Sequence, residues 1–137
     1  MTDHSASFTL DLVPGSYAIC RWAAEAPLPP WVMEGAFFSV TRTPAELSAV
    51  CDAGSVPSGV KAEGPWSMLA VRGPLAFDMT GVLAGLATPL AAAGISIFAL
   101  STYDTDYMLV RDDDLERAVG ALRQAGHTVE KHIVCDP

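Results

Sequence analysis

The chain has 137 residues, of which half are apolar and 18% are charged, as in packed globular proteins and unlike disordered chains. Sixteen acidic residues against eight basic ones give a formal net charge of −8, which repels phosphate backbones and weighs against nucleic-acid binding. No apolar run reaches the roughly 18 residues that a membrane-spanning helix needs. The first seven residues lack a signal-peptide pattern, so we expect a cytoplasmic protein with no membrane contact.

Three cysteines are spread along the chain, at Cys20, Cys51 and Cys135. Their odd number and wide spacing predict buried free thiols, with neither a disulfide framework nor a zinc site. Three histidines lie near the chain ends, at His4, His127 and His132. We expect surface imidazoles there, and a metal site built from His132 and Cys135 is the weaker alternative. The sequence therefore predicts no metal and no cofactor.

The first half of the chain contains an imperfect series of strand patterns. Residues 8–13 and 17–22 are strand candidates on either side of Pro14-Gly15, and residues 37–41 form a third. A predicted helix follows over residues 44–51. Thr43 is suited to cap this helix, and Glu46 stands three residues later in capping-box spacing.

Two further segments complete this half. The proline-rich run 26–31 cannot lie inside a helix and predicts a rigid surface loop. Residues 60–63 could supply a last strand. The order of these predicted elements resembles a β-α-β-β-α-β unit that has lost its first helix. We place the domain boundary after residue 64, so the two predicted domains are residues 1–64 and 65–137.

The second half gives clearer signals, beginning with an apolar strand over residues 66–72 that Gly73-Pro74 closes. Asp78 or Thr80 could cap the helix that follows, and Pro89 should kink it or tighten its last turn before Gly94 ends it. The apolar residues of this helix recur at helical spacing: Val82, Leu83, Leu86 and Leu90.

A hairpin and a second helix come next. Residues 95–100 and 107–110 are strand patterns joined by a short polar turn. Asp112, Asp113 and Asp114 precede a helix that ends at Gly126. These carboxylates should cap the N-terminus of that helix and complement its dipole rather than bind metal. Residues 127–134 are the last strand. We therefore predict an α+β fold of two ferredoxin-like units, the first incomplete, with antiparallel sheets and helices on one face.

The second half also resembles the ACT domain family, most closely the small tandem-ACT proteins similar to the amino-acid-binding part of the CASTOR arginine sensors. The resemblance lies in residues 80–83 (TGVL), 94–97 (GISI), 101–103 (STY) and the pair Asp106-Tyr107. ACT domains are regulatory modules that bind amino acids or similar small ligands, usually where two ACT domains pair. The resemblance thus implies a non-enzymatic, oligomeric amino-acid sensor, and it leaves the amino acid open.

The residue chemistry supports a ligand site in two polar loops at strand ends. Backbone N–H groups at the start of the first helix favour a carboxylate, and Gly81 permits close approach. Asp78, Asp104 or Asp106 could accept an α-ammonium group, and nearby hydroxyls could contact the ligand side chain. The predicted ligand-binding residues are Asp78, Met79, Thr80, Gly81, Val82, Ser101, Thr102, Tyr103 and Asp104.

Three alternatives stand beside this prediction. The same residues could be helix caps and an ordinary polar turn, with Tyr103 and Tyr107 serving only in packing. The chain could be a ligand-free dimerisation module that pairs through its sheet edges. An acylphosphatase-like enzyme shares the ferredoxin-like topology, and Arg72-Gly73 is a thin similarity to a phosphate loop. No familiar catalytic motif occurs, so we predict no catalytic residues.

Overall fold

The structure is a computed structural model that describes residues 7–72 and 81–131. Within these residues, the strands and α-helices in chain order are β1 (Thr9–Trp22), β2 (Ser39–Arg42), β3 (Leu47–Asp52), β4 (Ala62–Val71), α1 (Val82–Ala92), β5 (Ile97–Ser101), β6 (Asp106–Arg111), α2 (Leu115–Gln124) and β7 (Thr128–Glu130). By compactness the chain divides into two units. The larger unit comprises residues up to 14 together with those from 67 onwards, and the smaller unit comprises residues 15–66.

The larger unit contains the predicted β-α-β-β-α-β series as β4, α1, β5, β6, α2 and β7. Its strand order is β7-β1-β4-β6-β5, so the first part of β1 lies between β7 and β4. Residues Thr9–Asp11 of β1 pair in parallel with Thr128–Glu130, and β5 and β6 form the predicted antiparallel hairpin. The placement of β1 was not expected, since the sequence assigned residues 8–13 to the first half alone.

The core of the larger unit lies between the strands and both helices. Leu86 and Leu90 of α1 and Leu122 of α2 are fully buried in one cluster with Leu69 of β4 and Met108 of β6. Because residues from both helices share this cluster, both helices cover one face of these strands. No helix in the described part of the chain is long and apolar enough to cross a membrane.

Both helices end at glycines, as predicted. Gly94 and Gly126 have φ values of +76° and +101°, which suit a residue without a side chain. In each case the next residue donates its N–H back across the last turn, from Ile95 to Leu90 and from His127 to Leu122. The acidic run before α2 forms a short 3-10 turn, Asp112–Asp114. Asp114 makes no capping hydrogen bond and pairs instead with Arg117, 2.9 Å away.

The smaller unit is built from strands and a proline-led loop. Its strand order is β2-β3-β1-β4, with β1 and β2 both antiparallel to β3. The prolines of segment 26–31 lead into a 3-10 turn, Pro30–Met33, and Val32 of that turn joins the buried cluster. Within residues 15–66 the cluster is centred on Cys20 and Cys51, with Trp22 and Trp31 packed against it.

The strand predicted over residues 60–63 is not separate, since β4 (Ala62–Val71) joins it to the strand predicted over residues 66–72. Two other predictions for the first half were also wrong. β1 is one strand and not two, since residues 9–22 continue through Pro14-Gly15. On one edge, β1 pairs with β7 at residues 9–11 and with β3 at residues 17–22, so Pro14 lies between these two registers. A proline there removes no hydrogen bond from either pairing.

The second error is the helix predicted over residues 44–51, where the structure has β3. The Thr43 hydroxyl does accept the N–H groups of Ala45 and Glu46, as a helix cap would. However, the Thr43 N–H donates to the Glu46 carbonyl and closes a hairpin, so the chain turns back instead of winding on. Pairing of β3 with both β1 and β2 then outweighs the local helix signal.

Candidate functional site

The predicted ligand residues lie in two places of the larger unit. Gly81 and Val82 begin α1, while residues 101–104 end β5 and enter the turn of the β5–β6 hairpin. Asp78, Met79 and Thr80 lie outside the described residues. The site can therefore be built only from the start of α1 and the hairpin turn.

The start of α1 offers an exposed backbone at Gly81, close in sequence to the exposed side chain of Leu83. Gly81 is the N-cap, has a φ of +80° and makes no side-chain capping bond. Among the described residues, a Cβ added at Gly81 would meet nothing within 4 Å, so none of them fills the space beside this backbone. Val82 is 5% exposed and packs in the core, so its side chain contributes to packing. The first amides of a helix lack intrahelical acceptors, which makes this end suited to an anionic group.

The hairpin turn is held by its own side chains. The Thr102 N–H donates to the Thr105 carbonyl at 2.8 Å, and the Thr105 N–H donates to Thr102 Oγ1 at 3.2 Å. The Ser101 hydroxyl donates to the Asp106 carboxylate at 2.6 Å. The hydroxyls of Ser101 and Thr102 are thus already engaged in the turn, and each keeps only spare acceptor capacity for a ligand.

These contacts separate the acidic candidates. Asp106 is engaged by Ser101, whereas Asp104 is exposed and has no hydrogen bond or ion pair within the part of the chain that the structure describes. Tyr103 projects at the tip of the turn and is 77% exposed. Asp104 is consequently the carboxylate of this turn that can receive an ammonium group without losing a partner.

One hydrogen bond ties the turn to the end of β4. The Thr105 hydroxyl donates to the carbonyl of Val71, the last residue of β4. The connection from β4 leads on to Gly81, so the hairpin turn contacts the strand end from which that connection departs. The crevice between Gly81 and Asp104 stays a prediction.

Arg72 follows β4 and is fully engaged. Its guanidinium donates to both carboxylate oxygens of Asp11, at 2.5 and 3.1 Å, and to Glu130 at 2.5 Å. These hydrogen bonds, that with Asp11 first, raise the pKa of Arg72 above its usual value. The group joins β4 to β1 and β7, which weighs against the phosphate-binding role that an acylphosphatase-like enzyme would require.

The cysteines show no activated nucleophile. Cys20 and Cys51 are buried and free, as predicted, with their sulfurs 3.9 Å apart, whereas Cys135 lies outside the described residues. Burial raises the pKa of both thiols, that of Cys51 to about 12, so neither is a thiolate near neutral pH. Among the described residues no group of three or more potential metal ligands comes together.

His127 is the residue that sequence analysis misplaced. It was predicted as a surface imidazole, but it is 7% exposed and stacks on Phe8 with ring centroids 5.8 Å apart. Its Nδ1 accepts the Phe8 N–H at 3.1 Å, and its Nε2 lies 3.1 Å from the Gly85 carbonyl. The signal available in the sequence was Pro89, because a proline leaves the carbonyl four residues before it without a helical donor.

Comparison with known proteins places the larger unit in a family. The ACT domain family model matches residues 61–124, which span both predicted ligand segments. This part of the chain belongs to the ACT domain family. A second model, for an N-terminal domain, matches residues 15–59.

Three similar proteins extend this result. The human cytosolic arginine sensor for mTORC1 subunit 1 is 40% identical over 60 residues, covering 43% of this chain. The chain spans only 18% of that relative's length. The structure of protein Atu0741 from Agobacterium tumefaciens is 38% identical, has a TM-score of 0.90 and covers 97% of this chain and 99% of its own. The regulatory subunit of aspartate kinase from Thermus thermophilus is 13% identical and has a TM-score of 0.60. The match covers 88% of this chain and 99% of that subunit, and it shows a shared fold.

Proposed function

We propose that this ACT protein is a cytoplasmic regulatory protein that binds an amino acid and catalyses no reaction. The family match over residues 61–124 carries the proposal, because ACT domains are regulatory amino-acid-binding modules. In this proposal residues 65–137 form the ACT unit and residues 1–64 a degenerate ferredoxin-like counterpart. The chain acts as a homo-oligomer, with the ligand at an interface between two ACT units.

The ligand chemistry follows from the two ends of the proposed site. The amides at the start of α1 receive the ligand carboxylate, and the open space beside Gly81 admits it close to the backbone. Asp104 accepts the α-ammonium group, since it is exposed and without a partner among the described residues. Asp78, Met79, Thr80 and Val82 complete the first end, and Ser101, Thr102 and Tyr103 line the second.

Arginine is the first ligand to test, because one relative is named an arginine sensor. The excess of eight negative charges also favours a ligand with a cationic side chain. The experiment is isothermal titration calorimetry of the full chain with each standard amino acid, followed by Asp104→Asn. Loss of a charged hydrogen bond of about 1.5–3 kcal/mol predicts an affinity about 10- to 100-fold weaker.

Asp113→Asn is the matched control for this substitution. Asp113 is another exposed carboxylate of the larger unit, and no hydrogen bond or ion pair of its side chain occurs in the described part of the chain. Asp113→Asn removes the same charge as Asp104→Asn, and it should leave the affinity for the amino acid unchanged. Equal weakening by both substitutions would reduce the role of Asp104 to general electrostatics, and no heat with any amino acid would refute the proposed function.

A ligand-free pairing module is the second candidate, and one observation favours it. β2 stands at the end of the strand order of the smaller unit. Val40 within this strand is 38% exposed, and Phe38, directly before it, is 42% exposed. An edge strand with exposed apolar side chains can pair with a second chain. Sedimentation velocity of wild type and Val40→Lys, with and without the bound amino acid, separates this role from ligand sensing.

A further inference from the structure

Helix α1 contains a proline that it must accommodate. Pro89 lies within Val82–Ala92, yet the helix continues past it to Ala92. Proline has no N–H, so it cannot donate to the carbonyl four residues earlier, which here belongs to Gly85. A carbonyl that is buried without a donor costs about 1–3 kcal/mol. The Gly85 carbonyl is partly buried, so a donor from elsewhere in the fold stabilises it.

The imidazole of His127, far from Gly85 in the sequence, supplies a hydrogen-bond donor to this carbonyl. Its Nε2 lies 3.1 Å from the Gly85 carbonyl. A carbonyl can only accept, so Nε2 carries the proton, and Nδ1 is then free to accept the Phe8 N–H at 3.1 Å. Both ring nitrogens are thereby satisfied by the neutral tautomer that is protonated on Nε2. His127 joins α1 to the residue that precedes β1.

The same contact reaches the start of α1 through one backbone hydrogen bond. The Gly85 N–H donates to the Gly81 carbonyl at 2.8 Å, so the peptide groups of Gly85 connect the His127 ring to the first turn of the helix. A shift of the imidazole would therefore change the backbone position of Gly81.

We propose that His127 is a positioning residue for the amino-acid site. It supplies Gly85 with the hydrogen bond that Pro89 cannot give, and so it holds the turn from Gly81 to Gly85 in its ligand-binding orientation. This inference rests on the proposed function, because it assigns the ligand carboxylate to the turn that His127 holds.

The test is a double-mutant cycle on the full chain. His127→Phe keeps an aromatic ring against Phe8 and removes both hydrogen bonds, and Pro89→Ala restores a helical N–H to Gly85. We expect His127→Phe alone to weaken binding of the tightest standard amino acid about tenfold. In the Pro89→Ala background the same change should weaken binding by no more than about twofold, because Gly85 then has its own donor.

Three results would overturn the inference. Equal effects of His127→Phe in both backgrounds would mean that His127 does not act through Gly85. Unchanged affinity in the single variant would mean that it does not position the site. The third result comes from wild type, in which long-range ¹H–¹⁵N spectra of the imidazole near pH 7 must show the Nε2-protonated tautomer. The opposite tautomer would contradict the geometry. This measurement does not depend on whether His127→Phe folds. Absence of amino-acid binding by wild type would instead refute the proposed function, and this inference with it.

Discussion

Gly81 and Gly94 stand at opposite ends of α1 in nearly the same backbone conformation, which permits a controlled test of the ligand site. Their φ values are +80° and +76°, and a Cβ added at either would meet no other described residue within 4 Å. Substitution by alanine therefore introduces no clash with the described residues at either position. What remains is the cost of a left-handed conformation for a residue with a side chain, about 1–2 kcal/mol at each position.

The two alanine variants should accordingly lose the same free energy of unfolding, about 1–2 kcal/mol, in urea denaturation. Binding should distinguish them. A side chain at Gly81 occupies the open space through which the ligand carboxylate approaches the amides of α1, whereas one at Gly94 lies at the other end of the helix. We expect Gly81→Ala to weaken amino-acid binding and Gly81→Leu to weaken it further, with both Gly94 variants binding as wild type.

The result that refutes this reasoning is specific. If Gly81→Leu and Gly94→Leu have the same affinity in calorimetry while both remain folded, the ligand does not approach the backbone at Gly81. If Gly81→Ala costs far more stability than Gly94→Ala, the space beside Gly81 is not open, and the structural premise fails.

Two further predictions concern the smaller unit. Burial raises the pKa of Cys51 from 9.0 to about 12, so between these values the unfolded chain releases a proton that the folded chain keeps. The free energy of unfolding, measured by urea denaturation, should thus fall as the pH rises above about 9. The fall should be less steep in Cys51→Ala than in wild type. Identical slopes would contradict the raised pKa of Cys51. Thr43→Ala should lower stability by about 1 kcal/mol, because the turn loses the hydroxyl that accepts from Ala45 and Glu46, and the exposed Thr41→Ala should have little effect.

Much of the larger unit could be predicted because its signals are local. The apolar spacing of α1, the glycines that end both helices and the short polar turn between β5 and β6 each act over a few residues. The candidate site was predicted on the same basis, since Gly81 and Asp104 lie in loops that the pattern of strands and helices indicates directly, and it stays a prediction. What the pattern could not show is which side chains of those loops are already engaged, as Ser101 is with Asp106.

The errors arose where local signals are shared by two structures. The Thr43 hydroxyl satisfies the same two amides at the start of a helix and in a hairpin, so residues 44–51 carried a genuine but ambiguous signal. Only the pairing of β3 with its neighbours decided between them.

By itself the sequence determined the periodic elements, their glycine ends and the family resemblance, because these depend on residues close together in the chain. Tertiary structure alone decided that β1 runs unbroken through Pro14 and that His127 is buried against Phe8 and Gly85. Both outcomes depend on hydrogen bonds between residues far apart in sequence, such as the 42 positions between Gly85 and His127. Such bonds produce no periodic pattern in the sequence. The residue type of each partner is the same whether its donor or acceptor bonds to protein or to water.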